Sequence, residues 1–171
     1  LWLARRQLQN VAANRARVPD AFADSIQLEA HQKAADYTIT NTLQGRLELV
    51  YNGLLLVGWT LGGGLQWLDS SWQQFGLGTI PTGGAMLLSA FLIMALLELP
   101  FSLYHTFVIE ERFGFNKTTP ATFIGDMSKQ ALLMLILGVP LAWAALWLMQ
   151  ESGHLWWLYL WLLWAGFSLL M

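Results

Sequence analysis

Four long apolar stretches limit what this chain of 171 residues can fold into. They lie at about 48–68, 83–105, 130–149 and 155–171. A helix needs roughly 20 apolar residues to cross a bilayer core about 30 Å thick. The first three stretches meet that length, and the fourth, at 1.5 Å per residue, would reach about 25 Å. The pattern predicts an all-α fold, a polytopic bundle of transmembrane helices with four spans.

The composition agrees with a membrane environment and excludes several other classes. Charged residues make up 12% of the chain, whereas soluble domains carry about 25%. The ten Trp residues are typical of the aromatic belts at membrane surfaces. The chain has no Cys, which excludes a disulfide framework or a thiolate metal site within it. A net charge of −2 gives no indication of nucleic-acid binding.

Both ends of the sequence are apolar, and we expect both to belong to membrane helices. Residues 1–4 run directly into Arg5 and Arg6 and are interpreted as the tail of a preceding span. The last residues stay apolar up to Met171, without a polar flank. We therefore expect a fragment that contains four spans and the stub of a fifth.

The basic residues are distributed on one side of this predicted topology. Six precede the first complete span and three lie between the second and third. The nine are Arg5, Arg6, Arg15, Arg17, Lys33, Arg46, Arg112, Lys117 and Lys129. Cytoplasmic loops carry an excess of Lys and Arg. We therefore expect residues 1–47 and 106–129 to be cytoplasmic and residues 69–82 and 150–154 to lie outside.

The two predicted cytoplasmic segments have their own local signals. Residues 20–35 mix apolar and charged side chains with imperfect helical periodicity, which predicts an amphipathic helix after Pro19. Residues 38–42 would form a polar joint before the first span. In the second segment, Gly114 can supply a positive φ to a tight turn. Thr119 is predicted to cap a short helix over 122–129, with Pro120 in its first turn.

Glu98 is the acid within an otherwise uncharged predicted span, next to Pro100. A carboxylate in hydrocarbon is costly, so such a residue usually faces a bundle interior or a water-filled cavity. It could equally lie close enough to the interface to be hydrated, or bond to a neighbouring helix. Pro100 removes a backbone hydrogen bond and is expected to kink the helix.

Glu110, Glu111 and Arg112 place two acids beside a cation at the end of this span. Paired acids can carry out general acid–base chemistry. A solvated ion-pair face is the commoner meaning of such a cluster, so we expect a docking role.

The histidines do not form a metal motif. His31, His105 and His154 are far apart in the sequence, and no H-E-x-x-H occurs in the chain.

Four sequence elements, in this order and spacing, resemble the membrane N-terminal domain of the type I CAAX prenyl endopeptidases. The most specific is a charged aromatic loop between two spans. The elements are Val18-Pro19, His31–Tyr37 (HQKAADY), Glu98–Pro100 (ELP) and Ile109–Lys117 (IEERFGFNK). The resemblance covers nearly the whole chain.

This resemblance implies a helix bundle around a large water-filled chamber and a zinc site of the gluzincin type. In that family two His of H-E-x-x-H and a downstream Glu hold the zinc, and these would lie beyond Met171. No zinc ligand or catalytic base is expected here, so the fragment alone should be inactive. The implied partners are the lipid bilayer, the downstream catalytic domain and a peptide or protein substrate. The Lys-poor, Leu-, Ala- and Trp-rich composition suggests a bacterial inner membrane and substrates other than prenylated proteins.

Within this framework the candidate residues fall into two groups. The chamber-facing candidates are Glu98, Tyr104 and His105. The docking candidates are Glu110, Glu111, Arg112, Phe113, Phe115, Asn116 and His31. Two rival hypotheses are a non-enzymatic membrane bundle, such as a transporter or channel subunit with Glu98 in its pathway, and a scaffold without a protease half.

Overall fold

The computed structural model describes residues 1–170, and no strand occurs among them. The all-α prediction is therefore confirmed for the described part of the chain. Its seven α-helices are α1 (Trp2–Asn14), α2 (Leu28–Thr60), α3 (Gly64–Gln73), α4 (Thr79–Tyr104), α5 (Pro120–Leu133), α6 (Val139–Glu151) and α7 (Trp156–Leu170). Two π-helical segments, His105–Glu110 and Met134–Gly138, follow α4 and α5 directly. Short 3-10 turns occupy Asp20–Phe22 and Gly153–Leu155.

The first part of the chain differs from the prediction in where its helices begin and end. The helix that starts with residues 1–4 continues to Asn14. The amphipathic helix predicted over 20–35 is absent as a separate element, because a 3-10 turn at Asp20–Phe22 precedes a helix that begins only at Leu28. That helix, α2, then runs without a break to Thr60.

The polar joint predicted over 38–42 is helical because its threonine hydroxyls bond to the helix itself. The hydroxyls of Thr38, Thr40 and Thr42 donate to the carbonyl oxygens four residues earlier, at 2.8, 2.8 and 2.7 Å. Such a back-bond satisfies the hydroxyl without breaking the backbone ladder. The sequence prediction missed this because threonines also favour turns.

The predicted stretch 48–68 contains a break. Thr60 ends α2, and Gly63, with φ +80°, precedes α3. The left-handed conformation is one that glycine adopts without the Cβ penalty of other residues. A break in the helix therefore falls inside the first predicted span.

The predicted local signals of the second loop are confirmed. Gly114 has φ +72°. Thr119 caps α5, where its Oγ1 accepts a hydrogen bond from the Thr122 N–H at 3.1 Å, and Pro120 opens the helix. The helix predicted over 122–129 lies within α5.

The chain divides into two compact units, and the division falls within α4 between Leu97 and Glu98. The first unit contains Leu1–Trp59 and Glu98–Thr118. Its buried side chains are Ala35, Gln44, Ile109 and Phe113. They place the interior of this unit between α2 and the chain that follows α4.

The second unit contains Thr60–Leu97 and the chain from Thr119 onward. Its described buried side chain is Leu68 on α3. The indole N–H of Trp72 donates to the Ser89 hydroxyl at 2.9 Å, which joins α3 to α4. Helix α6 packs against α7. A polar bond and helix packing thus connect the elements of this unit.

Large apolar side chains lie on the outside of these helices. Phe91 on α4, Trp143 on α6 and Trp161 on α7 are each exposed to about 60% or slightly less. Two continuous helical stretches, Thr79–Glu110 and Pro120–Glu151, are long and apolar enough to cross a membrane by length and composition. Soluble proteins rarely expose contiguous apolar surface on this scale, so lipid is the environment that such a surface fits.

Candidate functional site

A polar pocket lies in the first unit between α2 and the end of α4. Its volume is about 380 Å³, and all but two of its lining residues have polar side chains. They are Asn41, Gln44, Gly45, Glu48 and Asn52 from α2, and Glu98, Phe101, Ser102 and His105 from α4 and its π-helical continuation. Both sets follow the three- and four-residue spacing of one helical face. The site therefore consists of two facing polar stripes on long helices.

Gln44 joins the two stripes. Its side-chain N–H groups donate to the Glu48 Oε1 at 2.6 Å and to the Phe101 carbonyl oxygen at 3.1 Å. The Gln44 side chain is buried, and its Oε1 has no hydrogen-bond partner within the described residues. Because both of its bonded partners are acceptors, the amide nitrogen must face them. The orphaned atom is therefore an acceptor.

Glu98 lines this pocket and is solvent-exposed within its unit. Across residues 1–170 its carboxylate forms neither a hydrogen bond nor an ion pair. The sequence left open whether Glu98 is hydrated near the interface or bonded to a neighbouring helix. The described chain contains no such bond. Its role in a larger chamber stays a prediction.

His105 also lines the pocket, where its Nε2 lies 3.2 Å from the Asn41 Oδ1. Its Nδ1 lies 3.6 Å from the Glu110 Oε1. This imidazole therefore connects the polar pocket to the acidic end of the π-helical segment. The contact with Asn41 is within hydrogen-bond distance, whereas the contact with Glu110 is a longer electrostatic one.

Tyr104 occupies a different place from the other two chamber-facing candidates. It lines a second pocket of about 360 Å³, whose wall is mainly apolar and includes Leu43, Leu47 and Pro100. The structure therefore brings Glu98 and His105 together and separates Tyr104 from them. The reason is helical geometry, because Tyr104 and His105 are consecutive and point to different faces.

The loop after the π-helical segment folds onto α2 through aromatic contacts. The ring of Tyr37 meets the rings of Phe113 and Phe115 edge-on, with centroids 5.4 and 5.0 Å apart. Lys33 Nζ lies 5.5 Å from the centre of the Phe115 ring. The Glu110 carbonyl oxygen accepts from the backbone N–H of Phe115 at 2.8 Å. The loop is thus closed on itself and packed against one helix.

The docking candidates are not equally available on this loop. Phe113 is only 6% exposed, so it belongs to the interior of the unit, and a docking role for it stays a prediction. Glu111, Arg112 and Phe115 are exposed. Asn116 is a partly buried structural residue of the loop, since it donates to Glu111 and accepts from the Thr118 N–H at 2.7 Å.

A second set of contacts joins α1 to α2. Arg15 donates from Nε and Nη2 to both carboxylate oxygens of Asp36, at 2.6 and 2.7 Å. His31, a docking candidate, has its Nε2 3.0 Å from the Asn14 carbonyl oxygen at the end of α1. The hydrogen bonds from Arg15 hold the pKa of the Asp36 carboxyl below its ordinary value, and the charges of Arg15 and Arg112 add to this effect. His31 therefore has an internal partner.

The polar stripe on α2 is the part of the site that sequence analysis missed. Asn41, Gln44, Glu48 and Asn52 follow one another at intervals of three or four residues. That spacing was a usable signal, because it marks a polar face on a helix entering an apolar stretch.

No metal centre is found in the part of the chain that the structure describes. Residues 1–170 contain no group of three or more His, Asp or Glu side chains that could hold a metal ion. His105 has one carboxylate near it, and His31 has a backbone carbonyl. These residues do not fit the three-ligand set of a catalytic zinc site.

Comparison with known proteins decides the family. Residues 7–171 match the family described as CAAX prenyl protease N-terminal, with five membrane helices. The chain belongs to this family. The resemblance found in the sequence is therefore confirmed, and the protein is a membrane protein. The span boundaries within this member of the CAAX prenyl protease N-terminal family stay a prediction.

Individual relatives agree with the family assignment. The chain is 32% identical to a CAAX prenyl protease 1 homolog of Caenorhabditis elegans over 150 residues, 87% of this chain and 33% of the relative. It is 49% identical to a homolog of Arabidopsis thaliana over 74 residues, 43% of this chain and 18% of that relative. The chain thus spans about a third of the length of the C. elegans relative. These two relatives are eukaryotic and give no support to a bacterial source.

A solved structure shares the fold of this family member. The crystal structure of S. mikatae Ste24p superposes with a TM-score of 0.85, at 23% identity, over 99% of this chain and 40% of that one.

Proposed function

We propose that this chain is the membrane-embedded N-terminal part of a zinc metalloendopeptidase. Its polar pocket would form part of the wall of a water-filled chamber in which a membrane-associated peptide is hydrolysed. The observation that carries the proposal is the pair of polar stripes on α2 and α4, with the unpartnered Glu98 in an otherwise uncharged stretch. Such residues inside membrane helices normally face water. The family membership of the chain supports a protease over a transporter or channel subunit.

The catalytic chemistry belongs, in this proposal, to a peptidase domain that follows residue 171. A zinc ion held there would polarise the scissile carbonyl and activate a water molecule. The described residues offer no fitting ligand set, so no step of hydrolysis is assigned to them. Their part is to shape the chamber and to hold the peptidase domain.

The exposed side chains of Glu111, Arg112 and Phe115 are the proposed docking surface for that domain. They lie on a loop that is packed against α2 through Tyr37. A rigid support of this kind lowers the cost of ordering side chains on association. Phe113 supports the loop from within and Glu110 supports it through its contact with His105.

The proposed topology places residues 1–47 and 106–129 on the cytoplasmic side. All nine Lys and Arg residues would then lie on that side, in agreement with the positive-inside rule. In a bacterial host, which the composition suggests, the membrane would be the inner one. Single cysteines test this topology, because the chain has none of its own. In intact cells an impermeant thiol reagent should label Gln74→Cys, and it should label Lys117→Cys only after permeabilisation; the opposite pattern would reverse the topology.

The function itself is tested with the full-length protein in proteoliposomes. We expect it to hydrolyse membrane-associated peptides, to lose activity when a chelator removes zinc and to regain activity when zinc is returned. A correctly inserted full-length protein that cleaves no peptide from a broad library would overturn the proposal. A transporter would instead move solutes across the same vesicles without cleaving a peptide.

A further inference from the structure

We propose that His105 and Glu110 form a proton-sensitive pair that sets the helical register of the π-helical segment between them, and with it the position of the loop that follows. The switch itself depends on the geometry of this segment and on no catalytic activity. Its consequence for hydrolysis rests on the proposed function, because the same loop carries the proposed docking surface. Two observations carry the inference: the five-residue spacing of the pair and the two partners of the imidazole.

The spacing of the pair ties it to the π-helical geometry. In an α-helix, with 3.6 residues per turn, side chains five residues apart point roughly 140° away from each other. A π-helix bonds each residue to the fifth one along the chain, so residues five apart lie one above the other. The segment His105–Glu110 is π-helical, and its first and last side chains meet, with Nδ1 3.6 Å from Oε1. Conversion of this segment to an α-helix would therefore separate the pair.

The partners of the imidazole make this contact depend on the charge of the ring. Nε2 lies 3.2 Å from the Asn41 Oδ1, an acceptor, so the hydrogen of the neutral ring belongs on Nε2. The lone pair of Nδ1 then faces the Glu110 carboxylate, which is unfavourable. Protonation of Nδ1 replaces that repulsion with attraction between opposite charges. The two side chains are 32% and 30% exposed, so solvent screens the attraction less than it would for a fully exposed pair.

The charged groups on the two facing helices act in the same direction. Glu48 on α2 and Glu98 on α4 line the pocket that His105 also lines, and within residues 1–170 no Lys or Arg does so. Acids on both helices attract a positive charge on the ring. Histidine is the side chain that ordinarily changes its charge between pH 5 and pH 8. We therefore expect the π-helical register to be more populated at the acidic end of this range.

Glu110 transmits the register to the loop. Its backbone carbonyl oxygen accepts hydrogen bonds from the N–H groups of Phe115 and Asn116, at 2.8 and 3.2 Å. The charged residues of the loop that come next in the chain have partners within the loop: Glu111 accepts from Asn116, and the guanidinium of Arg112 lies over a phenyl ring. A change of register moves Glu110 around the helix axis. The loop and its docking side chains must therefore move with it.

The first experiment measures the register without enzymatic activity. Nitroxide labels are attached to Val50→Cys on α2 and Lys117→Cys in the loop, both at exposed positions. The full-length protein is used in proteoliposomes, after any other cysteine has been replaced, and the distance between the labels is measured by double electron–electron resonance. We expect two populations of distance. Their ratio should change about two- to fivefold between pH 5 and pH 8, the range for a partly exposed ion pair.

Matched variants separate the switch from a general effect of pH. His105→Gln keeps a donor for Asn41 but cannot become charged, so it should remove the pH response and keep the ratio seen at pH 8. Glu110→Gln keeps the backbone carbonyl that closes the loop and should also remove the response. The controls are His31→Gln, at a histidine whose Nε2 contacts a backbone carbonyl at the end of α1, and Glu98→Gln, at the pocket acid. Both should retain most of the response.

Three outcomes of the distance measurement would overturn the proposal. One is a wild-type distribution that is the same at pH 5 and pH 8. Another is a response that survives in His105→Gln or disappears in Glu98→Gln, because the titrating group would then be a different one. The third is a His105→Gln protein that keeps the ratio seen at pH 5, because the neutral ring would then favour the π-helical register.

The second experiment tests the consequence for hydrolysis. The pH profiles of kcat/KM for wild-type and His105→Gln full-length protein should coincide near pH 8 and differ about two- to fivefold near pH 6, following the population of the π-helical register. Parallel profiles would refute the effect on hydrolysis and leave the distance measurement to decide the switch. If no peptide were cleaved, the proposed function would fail, and the distance measurement would again decide the switch.

Discussion

Arg15 holds Asp36 through two parallel hydrogen bonds, at 2.6 and 2.7 Å, across 21 residues of sequence. The contact closes the irregular segment between α1 and α2. Each side chain is little more than two-fifths exposed, and the bidentate geometry is the one in which a guanidinium binds a carboxylate best. The end of α1 is thus tied to the first part of the long helix α2.

The pair makes the α1–α2 connection sensitive to acid. The pKa of Asp36 is lowered in the folded protein, mainly by its hydrogen bonds to Arg15, so the pair stabilises the fold above the ordinary carboxyl pKa of 3.8. That stabilisation is lost as the pH falls through the lower, folded pKa. We predict that residues 16–27 become more susceptible to an acid-active protease in this range. Asp36→Asn should show the same susceptibility already at neutral pH, using a neutral protease.

The neighbouring pair Arg17 and Asp20 is the matched control, because its side chains are 78% and 85% exposed. Asp20→Asn should leave the cleavage rate unchanged, since highly exposed ion pairs contribute little. Equal effects of the two substitutions would contradict the assignment.

Gln44→Leu is predicted to weaken the packing of α2 against α4. The change removes the bonds to Glu48 and to the Phe101 carbonyl. We expect a loss of about 0.5–1.5 kcal/mol in the free energy of unfolding, the range for polar contacts between helices in membranes and soluble proteins. Reversible unfolding of the reconstituted protein would measure it.

Gln73→Leu makes the same chemical change where the amide bonds only to Asp69 within its own helix. It should have almost no effect on stability. A Gln44→Leu protein as stable as the wild type would show that the bond to Phe101 contributes nothing.

Gly114→Ala should strain the loop that packs on Tyr37. An added Cβ would meet the Lys33 Nζ at 3.7 Å, an ordinary contact, so the cost comes from φ +72° alone. We expect about 1 kcal/mol for a non-glycine residue in this conformation. Gly114→Asn should destabilise the protein less than Gly114→Ala, because Asn tolerates the left-handed backbone conformation. The measurement is the melting temperature of the full-length protein, and Gly125→Ala, a helical site with open space, should be neutral or stabilising.

Arg112→Glu should lower peptide hydrolysis by the full-length protein without removing it from the membrane. The side chain is exposed on the proposed docking surface, with its guanidinium 5.7 Å from the centre of the Phe113 ring. We expect kcat/KM to fall about tenfold, equivalent to a contact of roughly 1.4 kcal/mol. Lys117→Glu makes the same charge change in the same loop. Its effect on kcat/KM, expressed as a free energy, should be less than half that of Arg112→Glu. Unchanged hydrolysis by a normally inserted Arg112→Glu protein would refute the docking role.

The sequence by itself determined the all-α class, the membrane environment and the family. These depend on local properties: the length of apolar runs, the charge fraction and the short motif around Gly114. Capping of α5 by Thr119 and the positive φ of Gly114 could also be predicted, because they depend on a few adjacent residues. The break at Gly63 and the continuous helix through Thr38–Thr42 could not be predicted, since glycines and threonines are compatible with either outcome.

Only the tertiary structure decided which polar residues form the site. Glu98 and His105 share a pocket with Gln44 and Glu48, although these pairs lie about fifty residues or more apart in the sequence. Tyr104, adjacent to His105, lies on another face, and Phe113, one of the docking candidates, is buried. The physical reason is that helical periodicity determines which residues share a face, whereas packing between helices determines which faces meet.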